Sequence, residues 1–343
     1  MRRTPLHKRI LAASTAALLA LSLAGCSGSG GGGNGGAAGG ETHTFRVAFN
    51  QNASHPQAQA ILELSDKLEE ATDGRYALEL FPDGTLGAQE ATIEQVQSGT
   101  IDFALVAGSL LEGFNPDFSV VNLPYVYESP EHQMSVLNDP DITGDLYETL
   151  LDDNIQVLTA YHGGVRNVYT DEAIETPEDL AGKKIRVIGS ETNVRMMELM
   201  GGVGTPMAQD EVYTAIQSGV IDGGENNELI YSSLSHDEIA PFYSSTQHLM
   251  MPDYLIASPT VWEGLDEETR GIFEELLAES VETELAAFDE AVETAKADAE
   301  AAGATFVESD VDAFREAVLP LHEELVTTPM TQEIYDAIDA ARG

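Results

Sequence analysis

The sequence predicts an α/β protein made of two lobes, and three observations lead to that fold class. After residue 43, segments with the periodicity of strands alternate with segments that have the periodicity of helices. A ten-residue pattern, Ile93–Asp102 (IEQVQSGTID), returns 120 residues later as Tyr213–Asp222 (YTAIQSGVID), which indicates two lobes with similar helix-to-strand corners. A single helical pattern runs from Asp266 to about Ala302 and is longer than one lobe is wide. We therefore expect two α/β lobes and a long helix that spans both.

The shorter elements can be located in order along the chain. Strand-like segments occur at Thr44–Phe49, Tyr76–Phe81, Ile101–Val106 and Lys184–Ile188. Pro56 favours the first turn of a helix that runs to Thr72, with Gly74 after it as a C-terminal cap. A second, short helix ends at Gly99. Together these elements predict strand–helix–strand–helix–strand in the first lobe.

The long helical pattern allows two interpretations. Its apolar residues recur at steps of three and four between Phe273 and Ala295, and Gly303 ends the pattern. The helix would be roughly 55 Å long at 1.5 Å per residue. It could form the stripe of a coiled-coil dimer or a spine laid across both lobes. Because the stripe is rich in alanine and lacks strict heptads, we favour the spine.

Acidic residues far outnumber basic ones. The sequence has 16 Lys and Arg against 59 Asp and Glu, a formal net charge of −43. Four of the basic residues and no acid lie in the first 25 positions, so the remainder has a charge of −47. This charge excludes nucleic-acid binding and binding to anionic lipid headgroups, and a single cysteine excludes a disulfide scaffold. The acidic surface is explained either by general solubility or by adaptation to concentrated salt. We expect a salt-loving source, because salt screens the repulsion among the acidic groups of the folded protein.

Residues 1–26 have the parts of an export signal: basic residues, an apolar run and small residues. The apolar run, Ile10–Ala24, is shorter than the roughly 20 residues of a spanning helix. The only cysteine ends Leu23–Cys26 (LAGC), which resembles the lipobox of bacterial lipoproteins, and the alternative is an incidental free cysteine. Residues 27–43 form a Gly-rich tether. We expect an extracytoplasmic domain, in the periplasm or at the cell surface, anchored to the outer face of the membrane by a lipid on Cys26.

The sequence contains none of the usual catalytic or metal-binding motifs. It has no H-E-x-x-H, no G-x-S-x-G and no P-loop, and its eight histidines are scattered. Paired acids such as Glu69 and Glu70 are typical of a solvated helix face. We therefore expect no enzymatic activity, no cofactor and no metal. An exported enzyme acting on organic acids and an adhesion module based on the long helix are the alternatives.

Two arginines are notable because only eight follow the export signal. Arg166 ends an apolar run beside Gly163 and Gly164, which permit close approach of the backbone. Arg186 alternates with apolar residues in a predicted strand, and a buried guanidinium must be paired with an anion. That anion is either one of the chain's own carboxylates or a ligand carboxylate held by a bidentate clamp.

One long stretch and several short motifs resemble a known family. Thr205–Asn226 (TPMAQDEVYTAIQSGVIDGGEN) closely resembles the characteristic stretch of the extracytoplasmic solute-binding proteins of TRAP transporters. Further matches occur in order at Thr72-x-Gly74-Arg75, Gly84-x-Leu86-Gly87, Gly99-x-Ile101-Asp102, Leu123-Pro124-Tyr125, Gly164-x-Arg166 and Asp179-Leu180-x-Gly182-x-Lys184-Ile185-Arg186-Val187. The resemblance covers about residues 44–330.

This resemblance implies a two-lobe, periplasmic-binding-protein-like fold that closes on a small organic acid and delivers it to an ion-gradient-driven permease. It implies that Arg186 forms a salt bridge with the ligand carboxylate, that Arg166 assists, and that Asn226 hydrogen-bonds the ligand. Gln209 stands where the family often has an aromatic residue against the ligand, which suggests a polar contact instead. Asn50 is the remaining expected contact.

The resemblance leaves the ligand open among sugar acids such as hexuronates, C4-dicarboxylates and 2-oxo acids. The polar site residues slightly favour a hydroxylated acid, and a second carboxylate would need a second cation, for which Arg166 is the obvious one. Sialic acid is disfavoured, because this chain has Ala107 and Leu110 where sialic-acid binders of the family tend to place charged side chains.

From the resemblance we assign residues 44–163 plus about 251–290 to the first lobe. Residues 164–250 plus about 291–343 form the second lobe. The expected partners are a small carboxylate ligand and the TRAP permease subunits, with membrane contact through the lipid anchor only and no nucleic acid. We expect the protein to be a monomer.

Overall fold

The computed structural model describes residues 42–342, so the export signal, Cys26 and nearly all of the predicted tether lie outside the described residues. The described part contains one sheet of nine strands. The strands are β1 (His43–Ala48), β2 (Tyr76–Phe81), β3 (Phe103–Ala107), β4 (Gln156–Thr170), β5 (Lys184–Val187), β6 (Val203–Pro206), β7 (Gly223–Asn226), β8 (Phe242–Ala257) and β9 (Thr305–Glu308). Because His43 already pairs with Tyr76, β1 begins inside the predicted tether.

Eleven α-helices connect these strands within the described residues. They are α1 (Pro56–Ala71), α2 (Gln89–Gln97), α3 (Pro130–Leu137), α4 (Pro140–Glu148), α5 (Glu191–Leu199), α6 (Val212–Gln217), α7 (Glu228–Ser233), α8 (Pro259–Gly264), α9 (Glu267–Ala302), α10 (Val311–Leu325) and α11 (Pro329–Ala340). Proline opens α1, α3, α4, α8 and α11, because its fixed φ suits the first turn and its missing N–H is not needed there. No helix of the described part is both long and apolar enough to cross a membrane.

Two lobes share the sheet, whose strand order is β2-β1-β3-β8-β4-β7-β5-β6 with β9 beside β8. In the first lobe β1 runs parallel to β2 and β3, and in the second β5 runs parallel to β6 and β7. The long strands β4 and β8 are antiparallel to each other and pass through both lobes. At one end β8 pairs with β3, and at the other it pairs with β9. The predicted two-lobe α/β fold is confirmed.

The repeated sequence pattern corresponds to a repeated corner. In the first lobe α2 leads through Gly99 to Asp102 and β3, and in the second lobe α6 leads through Gly219 to Asp222 and β7. Asp102 accepts a hydrogen bond from the backbone N–H of Arg46 at 2.7 Å, and Asp222 accepts one from that of Lys184 at 2.7 Å. Each aspartate thus ties its corner to the backbone of the neighbouring parallel strand.

The long helix α9 is a spine, as predicted. Its N-cap is Asp266 and its C-cap is Gly303, which has a φ of +112°. It packs against α1 of the first lobe and α7 of the second, with Phe273 and Phe288 buried. Because partners within the same chain cover its apolar side, the coiled-coil interpretation is not needed.

The C-terminal helix α11 packs against elements that follow β3. The backbone carbonyl of Ile338 lies 3.0 Å from Nε2 of His132, and Oγ1 of Thr328 donates to Asp117 at 3.1 Å. These contacts place α11 beside α3 and α4, although residues 291–343 are assigned to the second lobe in the sequence-based division.

Candidate ligand-binding site

All five predicted ligand residues lie at one cleft between the lobes. Its outer part, of about 270 Å³, is lined by Arg186, and its inner part, of about 20 Å³, by Arg166 and Asn226. Asn50 and Gln209 line both parts, so the two are adjacent. Because small-molecule sites begin at roughly 300 Å³, this cleft suits one small molecule.

Two glycines bend β4 where it passes the cleft. A Cβ on Gly163 would collide with the backbone oxygen of Met251, and a Cβ on Gly164 would lie 2.5 Å from Nδ2 of Asn227. Gly164 also has a φ of +84°, which L side chains rarely adopt. The register between β4 and β8 shifts on both sides of Arg166. The predicted need for close backbone approach is therefore met, and the bend places Arg166 at the inner cavity.

The guanidinium of Arg166 is paired inside the protein with Glu225. The side chains are 4 % and 1 % exposed. Nε and Nη2 of Arg166 donate to the Glu225 carboxylate, Nη2 also donates to its backbone oxygen at 2.8 Å, and Nη1 donates to Oδ1 of Asn226 at 3.0 Å. Four of the five N–H donors of the guanidinium are thus used, and one remains for a ligand.

Burial disfavours the charged form of Glu225, but the charge of Arg166 outweighs burial. With further help from His248, whose Nε2 lies 3.5 Å away, it lowers the pKa of Glu225 to about 2. The carboxylate is therefore ionised at neutral pH, and it neutralises Arg166 before any ligand arrives.

Arg186 is equally buried, at 3 % exposure, but it has no ion pair within the described part of the chain. Its Nε donates to the backbone oxygen of Met207 at 2.9 Å, and both terminal nitrogens are left with four free N–H donors. Burial lowers the pKa of Arg186, the charge of Glu225 opposes this, and the charge of Arg166 adds to it. A guanidinium nevertheless stays protonated in proteins. Of the two anions that the sequence left open, no carboxylate of the described residues forms an ion pair with Arg186, and the charges of Glu225 and Glu90 act on it only from farther away.

Two asparagines complete the polar lining. Oδ1 of Asn226 accepts from Arg166 and from the backbone N–H of Asn227 at 2.9 Å, so its Nδ2 is the group free to meet a ligand. Nδ2 of Asn50 reaches Oε1 of Gln209 at 3.4 Å, a long hydrogen bond.

Gln209 lies at the cleft, but its carboxamide is bonded to the opposite lobe. Its Nε2 donates to Oε1 of Gln51 at 2.9 Å, and its Oε1 accepts from Nε2 of Gln51 at 3.2 Å. Gln51 follows β1 and Gln209 follows β6, so this pair links the lobes across the cleft. A contact of Gln209 with the ligand stays a prediction.

Sequence reasoning gave no role to Gln51 and Asp253, which line this cleft, or to Glu225, which pairs with Arg166. Glu225 had a usable signal, since a buried arginine needs an acid and Glu225 lies in the matched family stretch. Asp253 also had one, because it is the only charged residue in the apolar run Leu249–Ala257. Gln51 had none, because its partner is distant in sequence.

A larger cavity, of about 940 Å³, lies elsewhere, between α9, α10 and α11. It contains two arginines, but both are ion-paired: Arg315 with Asp312 at 2.8 Å and Arg342 with Asp339 at 3.3 Å. The described residues contain no group of three or more His, Cys, Asp or Glu side chains placed to hold a metal ion. We therefore assign the ligand site to the cleft that holds the unpaired buried guanidinium.

Comparison with known proteins identifies the family. A family model described as bacterial extracellular solute-binding protein, family 7, matches residues 47–328. The chain belongs to this family. The protein YiiZ of Salmonella typhimurium is 35 % identical over 306 residues, which cover 89 % of this chain and 93 % of that protein.

Two solved structures of TRAP periplasmic solute-binding proteins are similar over nearly the whole described part. One, from Anaerococcus prevotii with bound glucuronate, is 36 % identical with a TM-score of 0.84 and covers 88 % of this chain and 98 % of its own. The other, from Xanthobacter autotrophicus with bound β-D-galacturonate, is 33 % identical with a TM-score of 0.82 and covers 87 % and 100 %.

The predicted resemblance is thereby confirmed, and so is the periplasmic-binding-protein-like fold. This family 7 member is an extracytoplasmic solute-binding protein that captures a small organic acid and works with a TRAP permease. The family consists of binding proteins for transport and not of enzymes, so the alternative of an exported enzyme is excluded.

Proposed function

We propose that this family 7 protein captures a hexuronate, and that Arg186 holds the carboxylate of that sugar acid. The observation that supports this most is the unpaired buried guanidinium of Arg186 beside the cleft. Two terminal nitrogens in one plane match the two oxygens of a carboxylate. The relatives with bound glucuronate and galacturonate support the choice of a uronate.

The division of charge between the two arginines supports separate roles. Arg166 is neutralised by Glu225, so it offers a ligand one N–H but little net charge. Arg186 offers four N–H donors and a full charge. In this proposal the ligand carboxylate binds to Arg186, while Arg166, Asn226 and Asn50 bind the other oxygens of the ligand. Gln209 provides a polar contact or closes the cleft.

Titration of the purified protein with D-glucuronate and D-galacturonate tests the proposal. We expect Arg186→Ala to weaken binding by about 30-fold to several thousand-fold, because a desolvated carboxylate loses its partner. Arg186→Lys should recover only part of the loss, since an ammonium lacks the planar fork. Arg195→Ala, which removes an exposed arginine of α5, is the control and should bind as the parent does.

The melting curve of the ligand-free Arg186→Ala variant separates a binding role from a structural one. A melting temperature near that of the parent together with weak binding supports the clamp. A sharp fall in melting temperature with normal affinity in the folded fraction would contradict it.

We propose that a lipid on Cys26 anchors the protein to the outer face of the membrane, through the tether that follows. The support is the lipobox-like sequence that ends at Cys26. Cys26→Ser should move the protein from the membrane to the soluble extracytoplasmic fraction, and continued membrane association would refute the anchor.

We further propose the lobe boundaries 44–163 plus about 251–290, and 164–250 plus about 291–328, with α11 added to the first lobe because of its packing there. We also propose a monomer, because the apolar side of α9 is covered within the chain. Light scattering during size-exclusion chromatography checks this, and a dimer mass would contradict it.

A further inference from the structure

We propose that Asp253 determines ligand specificity in the inner cavity. Its carboxylate accepts a hydrogen bond from a ligand hydroxyl group and rejects ligands that bring a second carboxylate. This inference rests on the proposed function, because it assumes that Arg186 takes the single carboxylate of the ligand.

Asp253 lies on β8 where that strand passes between the lobes. It is paired in register with Ala107 of β3 and with Tyr161 of β4, and it lines the inner cavity together with Arg166 and Asn226. It is the only charged residue of the run Leu249–Ala257. A lone carboxylate in this otherwise apolar run costs free energy to bury unless something binds it.

One oxygen of this carboxylate is held by the protein and the other is free. Oδ2 accepts from Nε2 of Gln57 at 2.9 Å, and the same Nε2 donates to the backbone oxygen of His162 at 3.0 Å, which fixes the side chain. Oδ1 has no hydrogen-bond partner among residues 42–342. It is also not among the polar side-chain atoms of the described part that are fully buried without a partner, so it is accessible. Because Asp253 lines the inner cavity, Oδ1 is available to a ligand there.

The charges of the cleft favour an acid with one carboxylate. The pair of Arg166 and Glu225 is neutral and Arg186 is a free cation. The other charged side chains are acids: Asp83, Glu90 and Asp210 line the outer part of the cleft, and Asp253 lines the inner part. Burial raises the pKa of Asp253 above its ordinary value, and the hydrogen bond from Gln57 and the charge of Arg166 offset only part of this rise. A ligand with a carboxylate at one end and hydroxyl groups at the other satisfies both Arg186 and Asp253. A dicarboxylate would place its second carboxylate beside the carboxyl group of Asp253 in a desolvated space, which is unfavourable.

Calorimetric titration of the parent and of Asp253→Asn with D-glucuronate, D-galacturonate and succinate tests the inference. We expect the variant to bind both uronates about 10- to 100-fold more weakly, because a hydrogen bond to a charged group is lost. Its affinity for succinate relative to glucuronate should rise at least about tenfold. Asp145→Asn, which removes one exposed carboxylate of α4, is the control for net charge and should change neither affinity.

The outcomes separate this inference from the proposed function. If the parent binds neither uronate, the proposed function fails whatever Asp253 does. If the parent binds uronates through Arg186 but Asp253→Asn leaves the ratio of succinate to glucuronate affinity unchanged, the role of Asp253 is wrong. The parent alone gives a test that needs no variant, since succinate binding as tight as glucuronate binding also overturns the inference.

Discussion

Arg166 and Arg186 line the same cleft, yet one has a carboxylate of the protein and the other does not. A buried ion pair gains little stability over apolar residues of the same shape, but breaking it by removal of one partner is costly. The pair of Arg166 and Glu225 is therefore better explained as a device that fixes one guanidinium in place at the inner cavity. Because Arg166 is neutralised by Glu225, Arg186 provides the positive charge that attracts an anionic ligand.

At neutral pH, Glu225→Gln should lower the free energy of unfolding by about 3–5 kcal/mol, because Arg166 would be left buried without its carboxylate. Denaturant unfolding of the parent and the variant measures the difference. Glu324→Gln, which breaks the exposed pair with Arg195, is the matched control and should have a much smaller effect. Equal effects of the two substitutions would contradict the structural importance of the buried pair.

The same pair predicts a pH dependence. The pKa of Glu225 is depressed in the folded state, from an ordinary value of 4.5 to about 2. Its contribution to stability is therefore fully present above about pH 4.5 and is lost as the pH falls towards 2. The stability difference between the parent and Glu225→Gln should shrink over that range. A difference that stays constant down to pH 2 would show that Glu225 does not titrate in this way.

At the level of elements, the two lobes are hydrogen-bonded across the cleft by the segments that follow β1 and β6. The carboxamides of Gln51 and Gln209 form two hydrogen bonds with each other, and both side chains are only half-buried. Such a pair stabilises the arrangement in which the lobes are close together. When the pair separates, water can hydrogen-bond to both carboxamides, so no polar group is left buried without a partner.

Gln51→Ala should therefore raise the dissociation constant for the bound acid by about 5- to 150-fold, mainly through faster dissociation, because two hydrogen bonds are lost and each contributes about 0.5–1.5 kcal/mol. Stopped-flow kinetics with D-glucuronate measures the two rates. Gln332→Ala, at an exposed position of α11, serves as the control. An unchanged dissociation rate in Gln51→Ala would show that the pair does not hold the cleft shut.

Elements with strong local signals could be predicted from the sequence. The Asp266 cap and Gly303 give both ends of α9, and Pro56 gives the start of α1. Local patterns do not give pairings such as that of β4 with β8, nor do they reveal the edge strand β6, which is only four residues long. The family resemblance located Arg186 and Arg166, but which of them has an internal partner depends on long-range packing.

At the level of the whole molecule, the acidic surface makes stability depend on salt. The chain after residue 25 has a charge of −47, and at low ionic strength most of these charges repel one another. The Debye length falls from about 30 Å at 0.01 M salt to about 3 Å at 1 M. Long-range repulsion is therefore nearly abolished in molar salt. A protein adapted to a salt-rich environment would rely on this screening.

We therefore expect the melting temperature to rise steadily between 0.01 M and 1 M potassium chloride, and to level off once the Debye length is shorter than the spacing of surface charges. Thermal unfolding followed by circular dichroism measures this. A melting temperature that does not change with salt would refute both the electrostatic explanation and the proposed salt-loving source.

The first lobe is assembled from segments at opposite ends of the chain. β3 pairs with β8 through Phe103 and Ala257, α1 packs against α9, and α11 packs against α4. Contacts of such long sequence separation form late, because the entropy of loop closure must be lost before they are made. A nascent chain that has grown only as far as β7 lacks all three partners. The lobe that contains β1 therefore cannot finish folding until synthesis of the chain is nearly complete.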